Sequence, residues 1–232
     1  MTLFNHLGLL GLFDAIAAGL IVLVWLTIGW RIEHPGAKHP SVTILMSQRR
    51  RDWMKVFVTR QPRIFDSQIL AGLREGTAFF ASTSLFAIGG VLALLGNTES
   101  LRGVAAEVTD TQVPVLIWQL KLALVALFLT NGFLKFVWAN RVFGYCAVVM
   151  ASVPEDQSDP IAYPRAAQAA ELNIRAALNF NRGLRSMYFA LAALAWLAGP
   201  FALLLATGAA AWMIWSREFA SIPRDVLMGD DR

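Results

Sequence analysis

A single cysteine, Cys146, means that no disulfide can form within the chain. The histidines are also few: His6, His34 and His39. A haem or metal site needs several ligands converging at one depth. His6 falls at one end of the first apolar stretch, and His34 and His39 fall beyond its other end, so no metal or cofactor is expected. No glycine-rich stretch ends in the Gly-Lys-Ser/Thr of a phosphate-binding loop. Ser82, Thr83 and Ser84 have no histidine at their depth to act as a base, which leaves nucleophilic catalysis without support. In a membrane helix such hydroxyls more often bond between helices. Met1 to His6 carry no lysine or arginine, so the first apolar stretch is expected to be a retained anchor rather than a cleaved signal peptide.

Charge is the other scarcity. Only 16% of the residues are charged and 56% are hydrophobic, with a mean hydropathy of +0.53. Soluble domains carry about 25% charge. The deficit, with several long apolar runs, points to a membrane protein. The net charge is +4. The basic residues cluster beside the apolar runs, which favours a membrane surface over nucleic acid.

The apolar runs define four expected spanning helices, about 7–30, 77–96, 115–138 and 187–215, in one membrane domain. At about 1.5 Å per residue each can cross a bilayer core. Tryptophans sit near their ends (Trp25, Trp30, Trp118, Trp138, Trp212, Trp215), as interfacial anchors do. Gly199-Pro200 predicts a kink in the fourth. After His39-Pro40, the residues Val42, Leu45, Met46, Trp53, Val56 and Phe57 repeat at helical spacing. They predict an amphipathic helix lying at the membrane interface. Asp66 is the expected N-cap of the next helix, starting at Ser67. The second and third spans are expected to protrude past the bilayer, and the tail after Ser216 to fray. The fold class is thus all-α: an integral membrane four-helix bundle with an interfacial helix and cytoplasmic helix extensions.

Orientation follows from Gln48-Arg49-Arg50-Arg51-Asp52. Residues 31–76 and 139–186 carry 12 of the 16 arginines, whereas 97–114 has only Arg102 and the N-terminus none. Basic loops stay in the cytoplasm. The expected topology therefore puts 31–76 and 139–186 inside, and 97–114 and both termini outside.

Several stretches together resemble domain-of-unknown-function family 599, a group of bacterial integral membrane proteins. They are Arg51-Asp52-Trp53-Met54, Phe79-Phe80-Ala81-Ser82-Thr83-Ser84, Lys135-Phe136-Val137-Trp138 with Asn140 to Tyr145, and Phe180-Asn181-Arg182-Gly183-Leu184-Arg185 with Tyr188-Phe189-Ala190. The resemblance runs from about Asp14 to Trp215. It implies a four-helix protein of the bacterial inner (plasma) membrane. It brings no activity, cofactor or catalytic residue.

Three polar features remain. Asp14 and Lys121 lie at similar depth in the first and third spans and are expected to form a buried ion pair, either structural or part of an ion path. Asn131 is a further polar residue within a span. Arg49, Arg50, Arg51, Arg182 and Arg185 are expected to share one depth as a cytoplasmic collar. Asp52, Asp66 and Glu75 are too few to offset the arginines, so an anionic lipid headgroup or a partner is expected to do so. The leading expectation is a non-enzymatic protein acting by assembly, as a homo-oligomer or a subunit of a larger membrane complex. The rival is a small channel or transporter using Asp14, Lys121 and Asn131.

Overall fold

A computed structural model describes residues 11–36, 38–97, 103 and 114–229. His6, Leu7 to Leu10, and most of the expected outer loop, including Arg102, lie outside the described residues. Of the described residues 86% are helical, and none of them is in a strand. The helices are α1 (Leu12–Glu33), α2 (Val42–Thr59), α3 (Ile64–Gly96), α4 (Val115–Ala151), α5 (Ala162–Leu194), α6 (Pro200–Phe219) and α7 (Ile222–Met228). Three of them, α1, α3 and α4, are long and apolar enough to cross a membrane.

The expected fourth span is not one helix. α5 runs unbroken from Ala162 through Arg182 and Arg185 to Leu194. A 3₁₀ turn, Ala195–Ala198, follows, and Gly199 then takes φ 115°, where a side chain would be strained. Pro200 restarts the helix, its missing N–H costing nothing in a first turn. The Gly-Pro pair thus makes a full break and adds a helix where a kink was expected.

The chain forms two compact units. An apolar unit draws on residues 1–31, 84–132 and 184–215, and a polar unit on 32–83, 133–183 and 216–232. The apolar unit buries Ala17, Ile21, Leu122, Val125, Phe128, Phe189, Trp196 and Leu203. Phe128 is its aromatic centre, with Trp25 edge-on at 5.4 Å and Phe189 at 6.1 Å.

In the polar unit, Met54, Phe57 and Val58 of α2 pack with Leu70 of α3 and Phe143, Cys146 and Met150 of α4. They meet an alanine stripe on α5. Ala162, Ala166, Ala169 and Ala176 recur at three- and four-residue spacing, with Asn173 in the same row, all buried. Small side chains let the neighbouring helices come close. Phe80, Phe136 and Phe180 form a triangle with centroids 5.5–5.6 Å apart.

α2 buries a different face from the one its apolar residues suggest. Met46 and Val56 are exposed, and the inward row is Thr43, Ser47, Met54, Phe57 and Val58. The polar members are tolerated inside because each has a partner. Thr43 Oγ1 donates to Glu218 Oε1 (2.8 Å), and Ser47 Oγ donates to the Thr43 carbonyl (2.9 Å). Ser41 caps α2 by accepting from the Ile44 amide, and donates to the Ile32 carbonyl at the end of α1. Asp66 is no N-cap. α3 begins at Ile64, and the Asp66 carboxylate turns instead to Trp53 Nε1 and Arg60 Nη1, both at 2.6 Å.

The tail does not fray. Ser221 caps α7, and Gly229 at φ 77° closes it. α7 packs on α2, Arg224 Nε donates to the Pro40 carbonyl (3.1 Å), and Glu218 accepts from the Thr43 amide (3.0 Å). The described residues after Trp215 therefore belong to the same compact unit as the basic loops.

Gly183 marks the closest approach of α5 to α4. A Cβ there would lie 2.6–2.9 Å from three ring carbons of Phe136, which is itself fully buried. Gly183→Ala should therefore destabilise the protein by about 1–3 kcal/mol through overpacking. Thermal unfolding in detergent checks this, and Phe136→Leu in the same chain should restore part of the loss. An unchanged melting temperature for Gly183→Ala alone would show that the helices do not approach this closely.

Candidate functional site

In the apolar unit the 3₁₀ turn delivers Trp196 to Asp14. Its indole Nε1 donates to Asp14 Oδ1 at 2.7 Å. Lys121, 8% exposed, sits with Nζ 5.4 Å from the Trp118 ring centroid and 5.9 Å from that of Trp196. Both distances fall within cation–π range. Asp14 and Lys121 are thus brought to the same indole: its N–H edge serves the carboxylate and its face the ammonium. Trp196 was missed as a functional residue, because only the chain break puts it there. Asn131 is not brought to this group. It lies about 15 Å along α4 from Lys121 by helical rise, and its Oδ1 accepts from Ser186 Oγ at 3.1 Å.

The expected collar does not form one charged surface. Arg49 faces Asp52 at 3.7 Å, and Lys55 faces the same carboxylate. Arg51 Nε donates to Glu171 Oε1 at 2.8 Å. Arg182 makes a two-pronged contact with Glu33, Nε to Oε1 at 2.9 Å and Nη2 to Oε2 at 2.5 Å. Arg185 is only 6% exposed and belongs to the apolar unit, where it lies beside Gly29 of α1. Glu33 and Glu171 were absent from the sequence account of neutralising groups. They stand 149 and 120 residues from their partners, and no local spacing reveals such pairs. Exposed pairs of this kind contribute about 0–1 kcal/mol each.

Two further arginines act on helix ends. Arg63 donates to the Val153 and Pro154 carbonyls just past α4, at 2.6 and 2.7 Å, with its guanidinium over the Phe57 ring at 4.6 Å. Arg165 donates to the Ser152 carbonyl at 2.6 Å. The turn after α4 has carbonyls without backbone partners in a helix, and these cations bind them.

Arg50 is different. It extends the inward row of α2 and meets no carboxylate among the described residues; its Nη1 donates to the Oδ1 of Asn173, a neutral amide. Burial pushes its guanidinium below the ordinary arginine range. Asn173 is fully buried and is oriented from behind: its Nδ2 donates to Cys146 Sγ (3.8 Å), and that thiol donates to the Ala169 carbonyl (3.3 Å). The free cysteine is therefore a buried link in this chain. Arg50 also borders a cavity of about 300 Å³ between α2, α5 and α6, together with Ser47, Asn181, Arg217 and Glu218.

Among the described residues no three or more histidine, cysteine or acidic side chains come together as a metal site. Residues 16–223 match the family described as "Protein of unknown function, DUF599". The chain belongs to that family. No curated protein and no solved structure matches it. For this DUF599 protein the chemistry has to be argued from its own side chains, and those above bind, tie and cap. None forms a nucleophile–base pair.

The arginine ties differ in burial, so they should differ in energy. Asp66 is fully buried, with Arg60 as its cation and Trp53 as its second donor. Arg60→Ala leaves that carboxylate without countercharge and should cost about 3–5 kcal/mol. Arg51 and Glu171 are both half exposed, and Arg51→Ala should cost no more than about 1 kcal/mol. Chemical denaturation of the two variants in one detergent compares them. Equal losses would mean that burial does not set the strength of these ties.

Proposed function

We propose that this DUF599 protein is a non-enzymatic, multi-pass protein of the bacterial inner membrane that acts by assembly, most directly with further copies of itself. One observation carries this reading. α3 is apolar, yet only 11% of its spanning window is buried. Along one face it exposes Gly72, Gly76, Phe79, Thr83, Phe86 and Gly90, at alternating four- and three-residue spacing. Phe86 is 82% exposed. A Cβ on Gly72, Gly76 or Gly90 would meet nothing within 4 Å in the single chain. Small residues beside exposed aromatic side chains, such as Thr83 and Gly90 flanking Phe86, are what close helix–helix contact in a bilayer uses.

Substituting these glycines separates folding from assembly. Gly76→Leu with Gly90→Leu fills open space in one chain and should leave its melting temperature unchanged or slightly raised, because glycine weakens a helix interior. The same change should block a second helix from the face. Native mass spectrometry in mild detergent is expected to show an oligomer for the parent and a monomer for the variant. A monomeric parent, or an oligomer indifferent to both substitutions, overturns the reading.

The basic loops are read as cytoplasmic, with the exposed arginines of the polar unit contacting anionic headgroups. Because residues 216–229 associate with those loops, the C-terminus is read as cytoplasmic and the N-terminus as outside. Asp14, Lys121 and Asn131 each contact another protein side chain, which supports a structural role for them over a transport path. In a Cys146-free background, a cysteine at Gly229 should resist an impermeant thiol reagent applied from outside and react once the membrane is opened. Labelling from outside would reverse the assignment.

A further inference from the structure

Several arginines of the polar unit meet strong acceptors: Arg49, Arg51, Arg60 and Arg182 face carboxylates, and Arg63 and Arg165 face backbone carbonyls. Arg74 meets the Asn140 amide and Arg141 the Tyr145 hydroxyl, but both are exposed to solvent. Arg50 meets a neutral group while partly buried. Its partner is the Asn173 amide, and among the described residues no aspartate or glutamate lies within ion-pair distance. A guanidinium drawn largely out of water without a countercharge is unfavourable. It persists where something else completes its shell.

The cavity beside it has the chemistry to do so. At about 300 Å³ it is large enough for a small polar molecule. Arg217 supplies a second guanidinium on its wall, and Ser47 and Asn181 supply a hydroxyl and an amide. One acidic residue, Glu218, also lines it. Both Glu218 oxygens are occupied at the far end of the inward row: Oε2 accepts from the Thr43 amide at 3.0 Å and Oε1 from Thr43 Oγ1 at 2.8 Å. Arg50 and Arg217 are the cations of the lining, and the Glu218 carboxylate is engaged by Thr43. Asn181 Nδ2 donates to Thr43 Oγ1 at 3.4 Å, which ties α5 to the same wall.

We propose that this cavity binds a phosphate group, with the Arg50 guanidinium as its principal countercharge and Arg217 as the second. The fork of an arginine matches tetrahedral phosphate oxygens in two-point contact, and a pair of arginines favours phosphate over a singly charged carboxylate. Free phosphate and the phosphodiester of a lipid headgroup share this chemistry. The proposal rests on the reading of the basic unit as an anion-contacting surface, and narrows it from five arginines to one built site.

The test uses the full chain, purified in detergent and stripped of lipid. Inorganic phosphate is titrated by equilibrium dialysis with radiolabel, and the same protein is reconstituted in nanodiscs of phosphatidylcholine with or without phosphatidylglycerol. Saturable phosphate binding is expected, weakened at least tenfold by Arg50→Gln and unchanged by Arg49→Gln. Met46→Trp, at the exposed rim of the cavity, should weaken binding while leaving Arg50 and Asn173 untouched. It decides the matter if Arg50→Gln fails to fold. Without ligand, Arg50→Gln should melt no lower than the parent, because it removes a cation that lacked a countercharge. If free phosphate does not bind but phosphatidylglycerol raises the melting temperature in an Arg50-dependent way, the phosphate is a lipid's and the site stands. If neither probe binds, or both bind equally well to Arg50→Gln and Met46→Trp, the site does not exist. Oligomer mass measured on the same samples reports separately on assembly through α3.

Discussion

A guanidinium taken out of water must be given an acceptor, and the polar unit is built around meeting that requirement many times over. Arg182 ties α5 to the end of α1 through Glu33, and Arg51 ties α2 to α5 through Glu171. Arg60 and Trp53 hold the first turn of α3 to α2 through Asp66. Arg63 and Arg165 hold the segment that follows α4 through the carbonyls of Ser152, Val153 and Pro154, and Arg224 fixes α7 to Pro40. The ties range from six residues apart, Arg60 to Asp66, to 184, Arg224 to Pro40. The arginines of the basic loops therefore also help to fold them.

Those ties also explain what could be read from the sequence. The helices were legible because apolar length and spacing need no partner to be recognised, and α1, α3 and α4 are long and apolar enough to span. The inward face of α2 was not legible. Its buried row carries Thr43, Ser47 and Arg50, which look like surface residues until Glu218 and Asn173 are known to face them. Glu33 and Glu171 were hidden for the same reason: long-range ion pairs leave no periodic trace. Asn173 had one signal that a spacing argument can use, since it interrupts the alanine row Ala162, Ala166, Ala169, Ala176 at a position that should have been small.

The apolar unit shows the converse case. Similar depth was enough to bring Asp14 and Lys121 under suspicion, and they do lie at one group. The residue that joins them is Trp196, and it sits in the turn created by Gly199-Pro200. A Gly-Pro pair reads equally well as a kink in one helix or as the end of one and the start of another. Local chemistry does not choose between these. The choice is made by the interactions on either side, with the Trp196 indole on Asp14 before the break and Glu218 on Thr43 after it.

Helix length is what lets one small chain support two kinds of interior. α3 and α4, two of the helices apolar enough to cross a membrane, have 33 and 37 residues, about 50–55 Å of helix each by rise, against a bilayer core of about 30 Å. Each is longer than a crossing needs. In lipid, packing rests on close van der Waals fit, because apolar side chains gain nothing by leaving hydrocarbon. In the polar unit that fit is supplied by the alanine row and the Phe80–Phe136–Phe180 triangle. Polar groups can then be buried among those side chains, provided each is satisfied. Arg50 is where that condition is met only by a neutral amide, and it is also where the packing leaves an open cavity.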